Sequence, residues 1–462
     1  MRISKLFISG GLIFILFGNP ALAQKQTPPE GGQPRDFKLP EKQTFTLKNG
    51  LSASLVPYGT LPKVSIRVVV RVGNINESEN EIWLADLTGD LMKEGTKSRS
   101  AEKVAQEAAS MGGEINISVG PDLTNISGDV LSEFAPDLIK LMADIVRNPL
   151  LPESEIERLQ KDMIRNLSIQ KTQPRSIAQE KFRKILYPDH PYGRIYPTEA
   201  MIQSYNIEKI RSFYDTNFGA ARTHMYVAGN FDKRKTESAI RKAFSDWTEG
   251  PEPLINVPSS TSKHAIYLIN RPDARQSTVY IGLPVIDPSN KDYVALLVTN
   301  SLLGGSFASR ITSNIREDKG YTYSPFSQVS TRYRDAYWAE IADVATNVTG
   351  PSLREIFYEI NRLQDEPPSE EELKGIENYL AGTFVLQNSS RFGIIGQLSF
   401  LDLHGLEDSY LTEYVKNVYS VTPESVQNMA RNYLRDDDMT IVIAGDRKKI
   451  YKQVSNYGPV IE

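Results

Sequence analysis

Apolar and polar positions along the chain follow one order of segments that is read twice, with a period of about 210 residues. The first reading opens at Thr46-Leu47-Lys48-Asn49-Gly50-Leu51, where Asn-Gly between apolar stretches predicts a tight turn. Residues 64–72 (VSIRVVVRV) are rich in β-branched side chains and alternate in part, which predicts a strand. The second reading supplies residues 265–269 (AIYLI) and 277–283 (STVYIGL), again strand-like. Each reading then runs through a helical stretch and more strands to a charged amphipathic helix. Pro152-Glu153 introduces that helix in the first, and Pro368-Ser369-Glu370-Glu371 in the second. Proline and acidic residues suit a first helical turn, where N–H groups lack partners. Both readings close on a helix and an apolar strand ending in Ala-Gly, at Ala228-Gly229 and Ala444-Gly445.

This repeat predicts an α+β fold of two homologous α/β-sandwich halves. Each half is a mixed or antiparallel sheet with helices packed on it, and together they form a clamshell with a central cleft. The expected boundaries are 41–247 for the first half and 263–462 for the second. Residues 248–262, rich in Pro, Ser, Gly and Glu, form the linker about which the halves hinge. A chain of 462 residues exceeds what one hydrophobic core holds, which agrees with two domains.

The start of the chain changes the picture. Arg2 and Lys5 precede a nearly all-apolar run from Leu6 to Phe17, and Ala21-Leu22-Ala23 follows. That order predicts a signal peptide over 1–23, cut before Gln24, and a run too short for a membrane span. Residues 24–40, with Pro, Gly, Gln and Lys, are expected to form a disordered lead-in. The expected location is the periplasm, with no membrane partner after cleavage and no later apolar stretch long enough to span. The chain has no Cys, so disulfides, thiolate ligands and thiol nucleophiles are absent. A formal net charge of −4 without a basic block argues against a nucleic-acid partner.

Candidate chemistry gathers in two places. The first is residues 84–96 (LADLTGDLMKEGT), followed by Ser100-Ala101-Glu102-Lys103 and Met111-Gly112-Gly113-Glu114-Ile115-Asn116. This framework resembles the pitrilysin/insulinase zinc peptidases, in which a helix carrying His-x-x-Glu-His leads into a Gly-Thr turn. There, two histidines one turn apart bind zinc and the intervening Glu activates the metal-bound water. Here Asp86 and Asp90 stand at the histidine positions and Gly89 at the base. The family's third ligand is a Glu about 76 residues further on, which falls on Asn166. Every position that would hold or use zinc has changed. Asp86 and Asp90 could face one way, but two carboxylates and an amide make a thin set even for Mg²⁺ or Ca²⁺. His190, His224, His264 and His404 are scattered and none pairs at metal spacing. No metal is expected in this chain.

The second place is Ser301-Leu302-Leu303-Gly304-Gly305-Ser306, followed by residues 315–324 (IREDKGYTYS). It resembles the family's Gly-rich loop and its Arg…Tyr pair, which falls on Arg316 and Tyr323. A guanidinium and a phenol donate hydrogen bonds to substrate carbonyls and to a developing oxyanion. The plainer alternatives are that Arg316 pairs with Glu317 or Asp318, and that the glycines form a turn.

The resemblance, from about Phe45 to Ala444, implies the non-catalytic subunit of an exported heterodimeric zinc metalloendopeptidase. Its partner would be a zinc-bearing homologue, which carries the Zn, and its ligand an unstructured peptide. Arg316 and Tyr323 would complete the partner's site. The edge strand around Gly113 and Asn116 would pair with peptide backbone. The alternative is an inactive scaffold or peptide-binding protein of the same fold without a peptidase partner.

Overall fold

The computed structural model describes residues 37–461. The signal segment and residues 24–36 of the lead-in lie outside the described residues.

Fourteen strands in chain order are β1 (Gln43–Thr46), β2 (Ser52–Pro57), β3 (Lys63–Val70), β4 (Gly95–Thr96), β5 (Arg99–Ser100), β6 (Ile115–Val119) and β7 (Thr124–Leu131), then β8 (Thr223–Gly229), β9 (Ala265–Asn270), β10 (Gln276–Val285), β11 (Phe326–Arg332), β12 (Asp335–Ala345), β13 (Thr440–Gly445) and β14 (Val460–Ile461). The first six-stranded sheet runs β1-β2-β8-β3-β7-β6 and the second β14-β9-β13-β10-β12-β11; β4 and β5 form a small hairpin apart. Position by position the sheets have the same internal pairing. β2 is parallel to β8 as β9 is to β13, and β3 and β10 are each antiparallel to both neighbours. The repeat read from the sequence is therefore a structural repeat. The outer strands differ: β1 precedes β2 and runs antiparallel to it, whereas β14 returns from the chain's end, parallel to β9. The predicted Asn-Gly turn closes β1 onto β2, with Gly50 at φ 89°, where a side chain would be strained.

β3 has apolar residues on both sides because both faces of its sheet are covered. Val64, Ile66, Val68 and Val70 join the first half's own core, while Val69 joins a core shared with the second half. What covers that outer face is the helix Arg391–His404, which belongs to the second half. Arg391 Nε donates to Ser65 Oγ (3.0 Å), its Nη2 bonds Asp129 Oδ1 (3.1 Å), and the Arg67 guanidinium lies over Phe392. The exchange is reciprocal. The helix Pro174–Leu186 of the first half lies on the second sheet, where Phe182 packs on Tyr280 (4.6 Å between centroids) and Tyr337. Gly282 makes room for it: a Cβ there would lie 2.9 Å from the Phe182 ring and 2.1 Å from the Trp338 carbonyl oxygen.

The hinge expected at residues 248–262 takes a different form. Thr248 and Glu249 carbonyls accept from Ala220 and Ala221, Arg222 Nε donates to the carbonyls of Pro251 and Glu252, and Thr261 N donates to Leu186 O. Backbone groups drawn into such bonds cannot swing freely. Between the halves lie grooves of about 510 Å³ beside Asp129 and Arg391 and about 260 Å³ beside His224 and Asp402. Residues 37–40, expected in the disordered lead-in, instead anchor: Phe37 and Leu39 pack against the second half's core, and Phe37 meets Phe384 edge-on at 5.2 Å. Phe37 and Leu39 are large apolar side chains of a kind that residues 24–36 of the sequence do not contain. One described segment, Tyr293–Asp318, is long and apolar enough to cross a membrane, contrary to the sequence reading. It is broken at 306–309, and 67% of its most apolar window is buried in the protein.

Candidate functional site

The zinc-equivalent residues sit on the helix Leu84–Met92, whose start is held from outside. Trp83 precedes it in the left-handed region (φ 70°), and Glu77 Oε1 accepts the N–H of Ala85 at 2.9 Å. Asn74 ties the pieces together: its Nδ2 donates to Glu77 Oε1 (3.1 Å) and to Asp86 Oδ2 (2.7 Å). Burial, with the Asp86 charge nearby, pushes Glu77 up to about 8. Burial, helped by Asp90, also raises Asp86. Asn74 and Glu77 were missed by the sequence reading. The available signal was their type, since Asn and Glu just ahead of a helix are capping residues.

These residues do not fit zinc. The Asp90 carboxylate already faces Lys93 Nζ at 2.7 Å, and Asp86 already accepts from an amide. Asn166 lies on the exposed side of the helix Ile156–Thr172, and no group of three His, Asp or Glu suited to a metal occurs among the described residues. The base position is closed as well: a Cβ on Gly89 would lie 2.6 Å from Val119 Cγ2 of β6. A side chain at 89 would therefore have to displace the Val119 methyl.

β6 is the open edge of its sheet and Asn116 is exposed on it, opposite Ser127 of β7. Gly113 stands just before the strand, where a Cβ would be 1.8 Å from the Asp129 carbonyl oxygen. Its glycine is thus required by packing, whatever else it does.

In the second half, Gly304 and Gly305 end a π-helical turn, Ser301–Gly305, and Arg316 lies in another, Ser313–Asp318. Such widened turns recur at functional sites. The glycines also have a packing reason. A Cβ on Gly304 would meet Ser327 Oγ at 2.6 Å and Glu340 Oε2 at 2.7 Å; one on Gly305 would meet Asn300 Nδ2 at 2.4 Å. Glu340 beneath them is wholly buried with neither carboxyl oxygen bonded to protein, so burial raises it well above the usual carboxylate range.

The structure brings Arg316 and Tyr323 together, with the guanidinium carbon 5.3 Å from the ring centroid. A third member, unmarked in the sequence reading, is Phe307, whose centroid is 4.3 Å from the same carbon. Phe307 is 71% and Tyr323 82% exposed, whereas the Arg316 side chain is 21% exposed and meets Glu317 Oε1 at 3.3 Å. The Glu317 pair is present, and Gly304 and Gly305 lie in a helical turn as well as against Ser327, Glu340 and Asn300.

Residues 58–197 match the family model described as insulinase (peptidase family M16), and residues 204–380 the model described as peptidase M16 inactive domain. The chain belongs to the insulinase family of M16 peptidases. An "uncharacterized zinc protease" of Rickettsia bellii is 26% identical over 328 residues, 70% of this chain and 79% of that protein. One from Bacillus subtilis is 23% identical over 398 residues, 85% of this chain and 96% of the relative. Among solved structures, a peptidase M16 inactive domain from Pseudomonas fluorescens superposes with TM-score 0.80 at 23% identity, covering 87% of this chain and 98% of that one. A Helicobacter pylori protease gives TM-score 0.82 at 21% identity, covering 88% and 100%. These likenesses establish the M16 two-domain fold.

Proposed function

We propose that this insulinase-family chain is the non-catalytic, peptide-binding subunit of an exported, periplasmic zinc metalloendopeptidase. In this reading it pairs with a zinc-bearing homologue and supplies Arg316 and Tyr323 to that partner's site. The observation that carries the reading is a contrast within one molecule. Asp86, Gly89 and Asp90 occupy the positions read as the family's zinc site, with Gly89 against Val119, while Arg316 and Tyr323 lie adjacent at an exposed site. Gly113, Asn116 and the open edge of β6 would pair with an extended peptide, as strand addition does. The leader-like first residues support export.

Cleavage of an unstructured peptide is measured with this chain alone in excess Zn²⁺, then with its zinc-bearing homologue from the same organism. The expected result is activity in the mixture above that of the homologue alone, reduced about 100-fold or more by Arg316→Ala, as for loss of an oxyanion donor. Chelator-sensitive cleavage by this chain alone would overturn the reading. No gain in the mixture would leave the scaffold without a peptidase partner as the better account.

A further inference from the structure

We infer that Phe307 is a positioning residue for Arg316, and that its ring is the apolar subsite against which an extended peptide rests a side chain. This rests on the proposed function and adds to it a residue and a preference. Phe307 lies in the break between two helical segments, Tyr323 in the loop after the second, and the Arg316 guanidinium lies over both rings, at 4.3 and 5.3 Å. A planar cation held by its faces directs its N–H groups along its edge, where, among the described residues, only Nη1 meets a carboxylate, Glu317 Oε1 at 3.3 Å. The rings also shield it from water, which strengthens each hydrogen bond that the edge makes. Without the nearer ring, the competing partner is Glu317, already at 3.3 Å and itself 57% exposed.

Phe307 has no packing reason to be aromatic. At 71% exposure it contributes little to the core, and its ring has a free face toward solvent beside the guanidinium. A peptide carbonyl hydrogen-bonded to the Arg316 edge places its neighbouring side chain within reach of that face. Apolar and aromatic side chains gain by covering it, and small polar ones do not. Exposed aromatic rings beside an arginine are also the composition of interface hot spots.

Two measurements test this, and the first needs neither peptide nor partner. Phenylglyoxal modification of Arg316, followed by mass spectrometry of the digest, should run about fivefold faster in Phe307→Ala than in the parent, on the scale of one cation–π contact. Phe307→Tyr should keep the parent rate and Phe307→Leu should not. Equal rates in Phe307→Ala and the parent overturn the positioning role. The second is fluorescence anisotropy with a labelled unstructured peptide rich in Leu and Phe, and with a twin carrying Ser at those positions. Phe307→Ala should weaken binding of the first about fivefold to tenfold and leave the second within about twofold. Equal loss for both peptides overturns the apolar subsite. If the parent binds neither peptide, alone or with the zinc-bearing homologue, the proposed function and the subsite fall together. The modification rates still decide the positioning role. Circular dichroism melts confirm that each variant is folded.

Discussion

Asn74, Glu77 and Asp86 form a hydrogen-bonded group in which the charge state of the buried Glu77 bears on stability near neutral pH. Glu77 accepts two hydrogen bonds, which favour its ionised form, yet burial outweighs them and holds it at about 8 against an ordinary 4.5. The native state thus binds a proton that the unfolded chain has already lost between those values. Stability from this group is complete below about pH 4.5 and is lost as pH rises toward 8. Glu77→Gln keeps an acceptor for the Ala85 N–H and removes the titration. Thermal melts of this variant between pH 5 and 8 should depend less on pH than those of the parent. An unchanged slope would mean that Glu77 is ionised in the native protein. Glu340 follows the same sign. Glu340→Gln should raise the melting temperature at pH 8 more than at pH 5, because at pH 8 the unfolded carboxylate must take up a proton on folding and the amide need not.

At the scale of elements, the helix Leu84–Met92 and the edge strand β6 are packed on each other through Gly89 and Val119. Gly89→Glu should cost about 1–3 kcal/mol by overpacking, against a gain in helix propensity of under about 1 kcal/mol. Val119→Ala removes the methyl in the way. In the double variant the cost should be smaller than the sum of the two single costs, a coupling that urea unfolding of all four proteins measures. Simple additivity would show that the helix shifts instead. Histidines at 86 and 90 would not by themselves rebuild a hydrolytic site, because a glutamate base at 89 would meet Val119 Cγ2. Much of this element was legible beforehand. The Gly-Thr turn after the helix, the strand near Gly113 and the acidic replacements were read from residue order. Val119 was not, because nothing in a sequence says which strand residue faces a given helical glycine.

At the scale of the molecule, each half covers the open face of the other's sheet with one helix, so neither sheet is complete alone. Heat should therefore unfold the chain in one calorimetric transition. Phe182→Ala should lower it by about 3–5 kcal/mol as a whole. Two resolved transitions, with only one moved by Phe182→Ala, would show that the halves are independent. Proteolytic nicking within 251–260 should leave the halves together on size exclusion, since the linker is stapled at both ends and the exchanged helices hold the rest. Separation after nicking would restore the free hinge that the linker's composition suggested.

The sequence by itself determined the repeat, the strand and helix types and the M16 framework. These depend on local periodicity and turn residues, which are readable along the chain. The sheet order, the exchange of helices between halves, the anchored linker and the seat of Phe37 were decided only by tertiary structure. So were the clamp of Phe307 on Arg316 and the raised acids Glu77 and Glu340. Each of these is a relation between residues that the sequence order does not bring into contact by itself, or a burial that depends on every neighbour. Free energies of contact and desolvation are set in three dimensions, and no single position carries them.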